Sequence, residues 1–155
     1  MLYNVARVKE FILCFRTLPT NIEVTKLKLT DGEHVSKHWG YNFPGTVEED
    51  KYLIDTYPSV GIRQKDDGSL IGWALTHYYW ATAKAYVQPD FRNMGLFQIM
   101  IRELDSIKLQ EGHVSFGFGF SRVKNLASKG PFISAGYTEV LENPFLWLTS
   151  DPEET

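Results

Sequence analysis

Between Val87 and Met100 the chain passes from an apolar, β-tending run into a helical repeat with only a short turn between them, and this junction constrains the fold more than any other stretch. Ala81 to Val87 reads as a strand, Pro89-Asp90 supplies turn chemistry, and Leu96, Phe97, Met100, Ile101, Leu104 and Ile107 recur at helical spacing through Gln110. The spacing predicts a buried helix that begins near Arg92 or Asn93. The first amides of such a helix lack intrahelical partners and carry the positive end of the helix dipole, so an anion is the natural occupant. Gly95 has no Cβ, which permits an unusual φ and close approach of a ligand, and Arg92 adds a planar charged fork suited to phosphate. A lone Arg-x-x-Gly also occurs in plain surface turns, so the motif needs support from the rest of the chain.

At 155 residues the chain is expected to be one domain with a core of its own. A net charge of −3 and a pI near 5.8, with no basic patch, argue against nucleic-acid and anionic-membrane surfaces. No stretch reaches the roughly 18 to 20 apolar residues needed to span a bilayer. Cys14 is the only cysteine and lies in the apolar run Phe11 to Phe15, which points to core packing and a reducing compartment. The chain is therefore expected to be soluble and intracellular, cytoplasmic or mitochondrial, since Arg7, Lys9 and Arg16 leave a weak targeting segment open. Residues 1–20 read as an N-terminal extension, either a docking helix or the remnant of an upstream domain. Residues 21–149 read as the folded domain and 150–155 as an acidic tail.

Taken in order, Ile22 to Leu29 reads as a strand whose alternation slips at Thr25-Lys26, as at a β-bulge. Thr30-Asp-Gly-Glu33 and Thr46-Val-Glu-Glu49 fit the capping box and open two helices, the second stopped by Pro58. Ser59 to Arg63 and Leu70 to His77 form a hairpin about Asp66-Asp67-Gly68-Ser69, and Ala81 to Val87 continues it. Val114 to Phe120 alternates large and small residues, so one face packs and the other leaves room for something to approach. A helix over Arg122 to Ser134 and a hairpin from Tyr137 to Leu148 about Glu142-Asn-Pro144 complete an α+β domain. Its sheet is mixed, mostly antiparallel, of about six to seven strands flanked by helices.

Val87-x-Pro-x-Phe-Arg-x-x-Gly on a strand-to-helix turn, followed by Asn125, Ser128, Phe132 and Gly136-Tyr137, resembles the GCN5-related N-acetyltransferase (GNAT) superfamily. In that superfamily the second motif is Asn-x-x-Ala-x-x-x-Tyr-x-x-x-Gly-Phe, and its spacing is kept. More closely, Trp39-Gly-Tyr41, Leu53-Ile-Asp-Thr-Tyr-Pro58, Ile71-Gly-Trp73-Ala-Leu75 and Asp90-Phe-Arg-x-x-Gly-Leu96 resemble the C-terminal domain of the glycine N-acyltransferase family, over roughly Ile22 to Trp147.

The resemblance implies acyl-CoA-dependent transfer onto the amino group of glycine or another small amino acid. It places the CoA pyrophosphate on Arg92 and the amides of Asn93, Met94, Gly95, Leu96 and Phe97. The pantetheine arm would run along Ala85, Tyr86 and Val87, with Asn125 near its thiol end. Three departures stand out. Phe97 replaces the usual small residue of the turn, Phe132 replaces a tyrosine that can protonate the leaving thiolate, and Ala81 stands where the glycine enzymes place a glutamate base.

A base is still required to take the proton of the attacking amine, and its loss ordinarily costs around 10² to 10⁴ in rate. His77 is the candidate, a titratable ring at the strand end that enters Tyr78-Tyr79-Trp80, with Tyr78, Tyr79 and Tyr86 as weaker candidates for the thiolate acid. His34 and His38 lack a third ligand and read as a solvated helix face, so no metal is expected. The alternative function is a catalytically weak acyl-CoA-binding domain acting as a sensor or with a protein partner. The sequence leaves the oligomeric state open.

Overall fold

Leu96, Met100, Ile101 and Leu104 recur on one side of a helix, and burying that stripe demands a sheet beneath it. In the computed structural model, which describes residues 2–7, 17–122 and 126–146, that helix is α3 (Leu96–Gln110). It covers one face of a seven-stranded sheet of order β2-β3-β4-β5-β6-β1-β7. The strands are β1 (Leu2–Arg7), β2 (Ile22–Thr25), β3 (Ser59–Gln64), β4 (Leu70–Thr76), β5 (Thr82–Val87), β6 (Phe118–Arg122) and β7 (Thr138–Leu146). Every neighbouring pair is antiparallel except β5 and β6, so the sheet is mixed and mostly antiparallel, as the sequence predicts.

All seven residues of β4 are buried, because helices cover both faces of the sheet. On one side α3 packs Met100 and Ile101 against Val60, Ile62, Ile71 and Ala74, and Phe132 of α4 (Leu126–Ser134) joins this cluster. On the other, α1 (Gly32–Lys37) and α2 (Thr46–Thr56) bury Val35, Leu53 and Ile54 against Leu70, Trp73 and Leu75. Each large side chain so buried contributes about 1.5–3 kcal/mol relative to an exposed one.

The local details depart from the sequence in several places. α3 starts at Leu96, not near Arg92, because Asn93 (φ 63°) and Gly95 (φ 76°) are left-handed and break any earlier helix. β2 ends at Thr25, so the slipped alternation marks a strand end and not a bulge. Neither capping box forms. Gly45, in the left-handed region, caps α2, while Thr46 Oγ1 accepts from the Phe43 amide and donates to the Phe43 carbonyl. Asp31, not Thr30, accepts at the first helix start, from the Lys28 amide, and also binds Arg63.

β6 begins at Phe118, four residues after the expected start. The final hairpin is a single strand, β7, in which residues 141–144 stand opposite Asn4 alone, so Glu142-Asn-Pro144 makes an irregularity and not a turn. Leu2–Arg7 is a strand seated between β6 and β7, where a docking helix was one expectation. Cys14, Asn125 and the acidic tail lie outside the described residues. Among the described residues, no helix is long and apolar enough to cross a membrane.

Candidate functional site

β5 and β6 run parallel, yet among the described residues they pair only at Thr82 opposite Gly119. The two strands diverge toward the turn before α3, and a cleft of about 660 Å³ opens between β5, that turn and α4. A bulge helps shape it. Trp73 faces Tyr86 and Leu75 faces Ala83, so β5 carries one extra residue here, with Lys84 at a left-handed φ of 50°.

The structure brings together eight of the ten residues expected to hold the cofactor. Ala85, Tyr86, Val87, Arg92, Asn93, Gly95, Leu96 and Phe97 all line the cleft. Met94 is not among its lining and is largely exposed. The left-handed residues Asn93 and Gly95 turn the chain immediately before the free amides of α3. Arg92 Nε donates to the Val87 carbonyl at 3.0 Å, and its guanidinium lies 5.6 Å from the centre of the Tyr86 ring. A fork held in this way keeps both Nη groups for an anion at the helix start. Phe97 packs its ring edge-on against Phe132 at 5.3 Å, forming an apolar wall with α4.

His77 is not part of that lining. It closes a tight turn, with the Trp80 amide donating to its carbonyl at 2.8 Å, and its ring sits between those of Tyr78 and Tyr79. Its Nδ1 is buried and has no hydrogen-bond partner. Burial pushes the imidazole below its ordinary value, with Lys84 acting the same way and Glu49 opposing, so the ring is neutral near pH 7. Tyr78 donates to Glu49 Oε1 at 2.8 Å. Burial, then this bond and the Glu49 charge, push its phenol up to about 12, which makes it a poor acid.

Glu49 is the residue that the sequence concealed. Read as a helix cap, it instead lies between Tyr78 and Lys84, whose ammonium is 3.5 Å from Glu49 Oε2 and also pairs with the fully buried Asp50. Ser36 donates to Asp50 at 2.6 Å. Ala81 is buried. The histidines of α1 and its C-cap are half-buried and packed, where a solvated helix face is expected. His34 and His38 both lie edge-on to Trp73, and His38 Nδ1 is 2.8 Å from the His34 carbonyl.

A family model described as FR47-like protein matches residues 59–146, more than half of the chain. No curated protein matches. Among solved structures, the chain is similar to a Drosophila protein with a TM-score of 0.79 and 20% identity, covering 90% of this chain and 48% of that one. A GNAT-family protein from Novosphingobium aromaticivorans gives 0.63 and 17%, covering 90% and 60%. A GCN5-related N-acetyltransferase from Kribbella flavida gives 0.59 and 12%, covering 89% and 54%. The chain thus spans less than two thirds of each of these neighbours, and the likeness is one of fold.

Proposed function

The chain belongs to the FR47-like protein family, and from that premise we propose that it is an acyl-CoA-dependent N-acyltransferase whose acceptor is the amino group of glycine or another small amino acid. The observation that carries the proposal is the single paired position between the described residues of β5 and β6, with a helix start at the open end of the gap they leave. A parallel sheet has no intrinsic reason to part there, and the gap exposes strand edge that an extended amide-bearing arm can pair with as an added strand. Its residues fit the ligand: Arg92 and the first amides of α3 suit a pyrophosphate, Ala85 to Val87 suit the arm, and Phe97 with Phe132 offers an apolar wall.

In this reaction the amine nitrogen bonds to the thioester carbonyl carbon, the carbon–sulfur bond breaks, and the amine proton must be removed. His77, neutral near pH 7, is the group we assign to receive that proton, directly or through a water. The leaving thiolate has an ordinary pKa of about 8.5, so it departs near neutral pH without a phenol at position 132 and then takes up a proton, giving an amide and free thiol. A second reading rests on Ala81: with a buried methyl where the related enzymes carry a carboxylate, the domain binds acyl-CoA as a sensor without turnover.

Mass spectrometry separates the two. The purified protein is mixed with acetyl-, phenylacetyl- and benzoyl-CoA and a pool of amino acids. Formation of an N-acyl amino acid faster than in the protein-free control supports the enzyme. Binding of CoA without product supports the sensor.

A further inference from the structure

Below the point where β5 meets β6 lies a group of four buried polar side chains that the transfer reaction leaves unused. Thr82, Asp105, Lys108 and Tyr137 are all less than one-twentieth exposed. Lys108 Nζ donates to Asp105 Oδ1 at 2.8 Å, to Thr82 Oγ1 at 2.9 Å and to the Trp80 carbonyl at 3.3 Å, so its three protons are all matched. Thr82 donates to Asp105 Oδ1 at 3.2 Å, and the Tyr137 hydroxyl donates to Asp105 Oδ2. The group links α3, β5 and the residue before β7. Burying an ion pair rarely stabilises more than apolar packing of similar volume, so what such a set provides is a single defined arrangement.

Gly117, just before β6, and Gly119, within it, belong to it. A Cβ on Gly117 would meet Asp105 Oδ2 at 2.1 Å, and one on Gly119 would meet the Thr82 carbonyl at 3.1 Å and the Phe132 ring at 3.4 Å. The small face of Val114 to Phe120, which the sequence leaves open for an approaching group, is therefore filled by the protein itself. The carboxylate takes one position and the Phe132 ring the other. Phe132 also lines the cleft, so the cleft and this group share a wall.

We propose that Thr82, Asp105, Lys108 and Tyr137, with Gly117 and Gly119, position the junction of β5 and β6 and so fix how long an acyl group the cleft admits. The proposal rests on the acyltransferase reading above. An arm laid along β5 from the phosphate turn reaches toward Thr82, and its acyl end can extend only as far as the strands remain apart. Loosening the junction moves that end wall and leaves the phosphate turn as it was.

The test is Tyr137→Phe, which keeps the packed ring and removes one bond to Asp105. Leu53→Ala, in the core on the α2 side, serves as a control destabilised at least as much. Two readouts are taken. In kcat/KM across acetyl-, butyryl-, hexanoyl- and benzoyl-CoA, Tyr137→Phe should shift preference toward the longer or bulkier acyl groups by about tenfold, with CoA affinity unchanged and Leu53→Ala keeping the wild-type profile. In amide hydrogen exchange of the unliganded protein, the junction of β5 and β6 should exchange about tenfold faster in Tyr137→Phe alone. An unchanged profile, or the same shift in Leu53→Ala, overturns the proposal. If the wild type turns over no acyl-CoA, the acyltransferase reading fails by itself and exchange decides: local acceleration supports the positioning role, and its absence removes it.

Discussion

Arg92 Nε donates to the Val87 carbonyl over 3.0 Å, tying the end of the turn back onto the last residue of β5. This bond uses the inner edge of the guanidinium and holds the outer edge beside the start of α3. Arg92→Lys keeps the charge but has neither Nε nor fork. It is expected to weaken CoA binding about tenfold, and Arg92→Ala by about 1.5–3 kcal/mol, both read by calorimetry. Wild-type affinity in the lysine variant would mean that only a point charge is needed.

His77 gives a pH dependence with a definite sign. Its folded-state value lies below the ordinary 6.5, so in the window beneath 6.5 the unfolded chain binds more protons. The stability it contributes is fully present above about 6.5 and is lost as pH falls through the folded value. His34, lowered by burial and then by His38, acts in the same direction. In kcat/KM the acid limb should fall below pH 6.5, and His77→Gln should remove that limb and lower the rate by roughly 10² to 10⁴. A limb centred above 6.5, or one that survives in His77→Gln, would assign the proton elsewhere.

Asp105 and Lys108 should behave as one unit in unfolding experiments. Asp105→Ala leaves the fully buried Lys108 ammonium without its carboxylate, at an expected cost of about 3–5 kcal/mol. Replacing both, Asp105→Leu with Lys108→Met, should recover most of that loss, because no unpaired charge is then left buried. A double variant as unstable as Asp105→Ala would show that the pair itself is a net stabiliser.

The parts of the fold that were legible in the sequence are those with a local period. The apolar stripe of α3, the three strands from Ser59 to Val87 and the turn at Gly95 each carry their signal within a few residues. The seat of β1 between β6 and β7 depends on pairing across more than a hundred residues, and no local pattern records it. Glu49 was hidden by a sequence that spells a capping box. Gly45 holds the cap position in a left-handed backbone open to glycine, and the Glu49 carboxylate meets Tyr78 and Lys84 instead. Asp105 and Lys108 look like ordinary polar positions of a helix, one turn apart beside Leu104 and Ile107. Packing on Gly117 takes in Asp105, and Thr82 with the Trp80 carbonyl takes in Lys108.

The measurement that bears most directly on the account is the melting temperature of wild type and Gly95→Trp across a titration with CoA. Wild type should shift upward and saturate, reaching about 2.7 kcal/mol of stabilisation at 100 times the dissociation constant. Gly95→Trp, which forces a bulky side chain onto a backbone at φ 76° beside the free amides of α3, should melt cooperatively and show no shift. A wild type that does not respond at millimolar CoA, or a Gly95→Trp variant that responds as the wild type does, would contradict the assignment of this cleft.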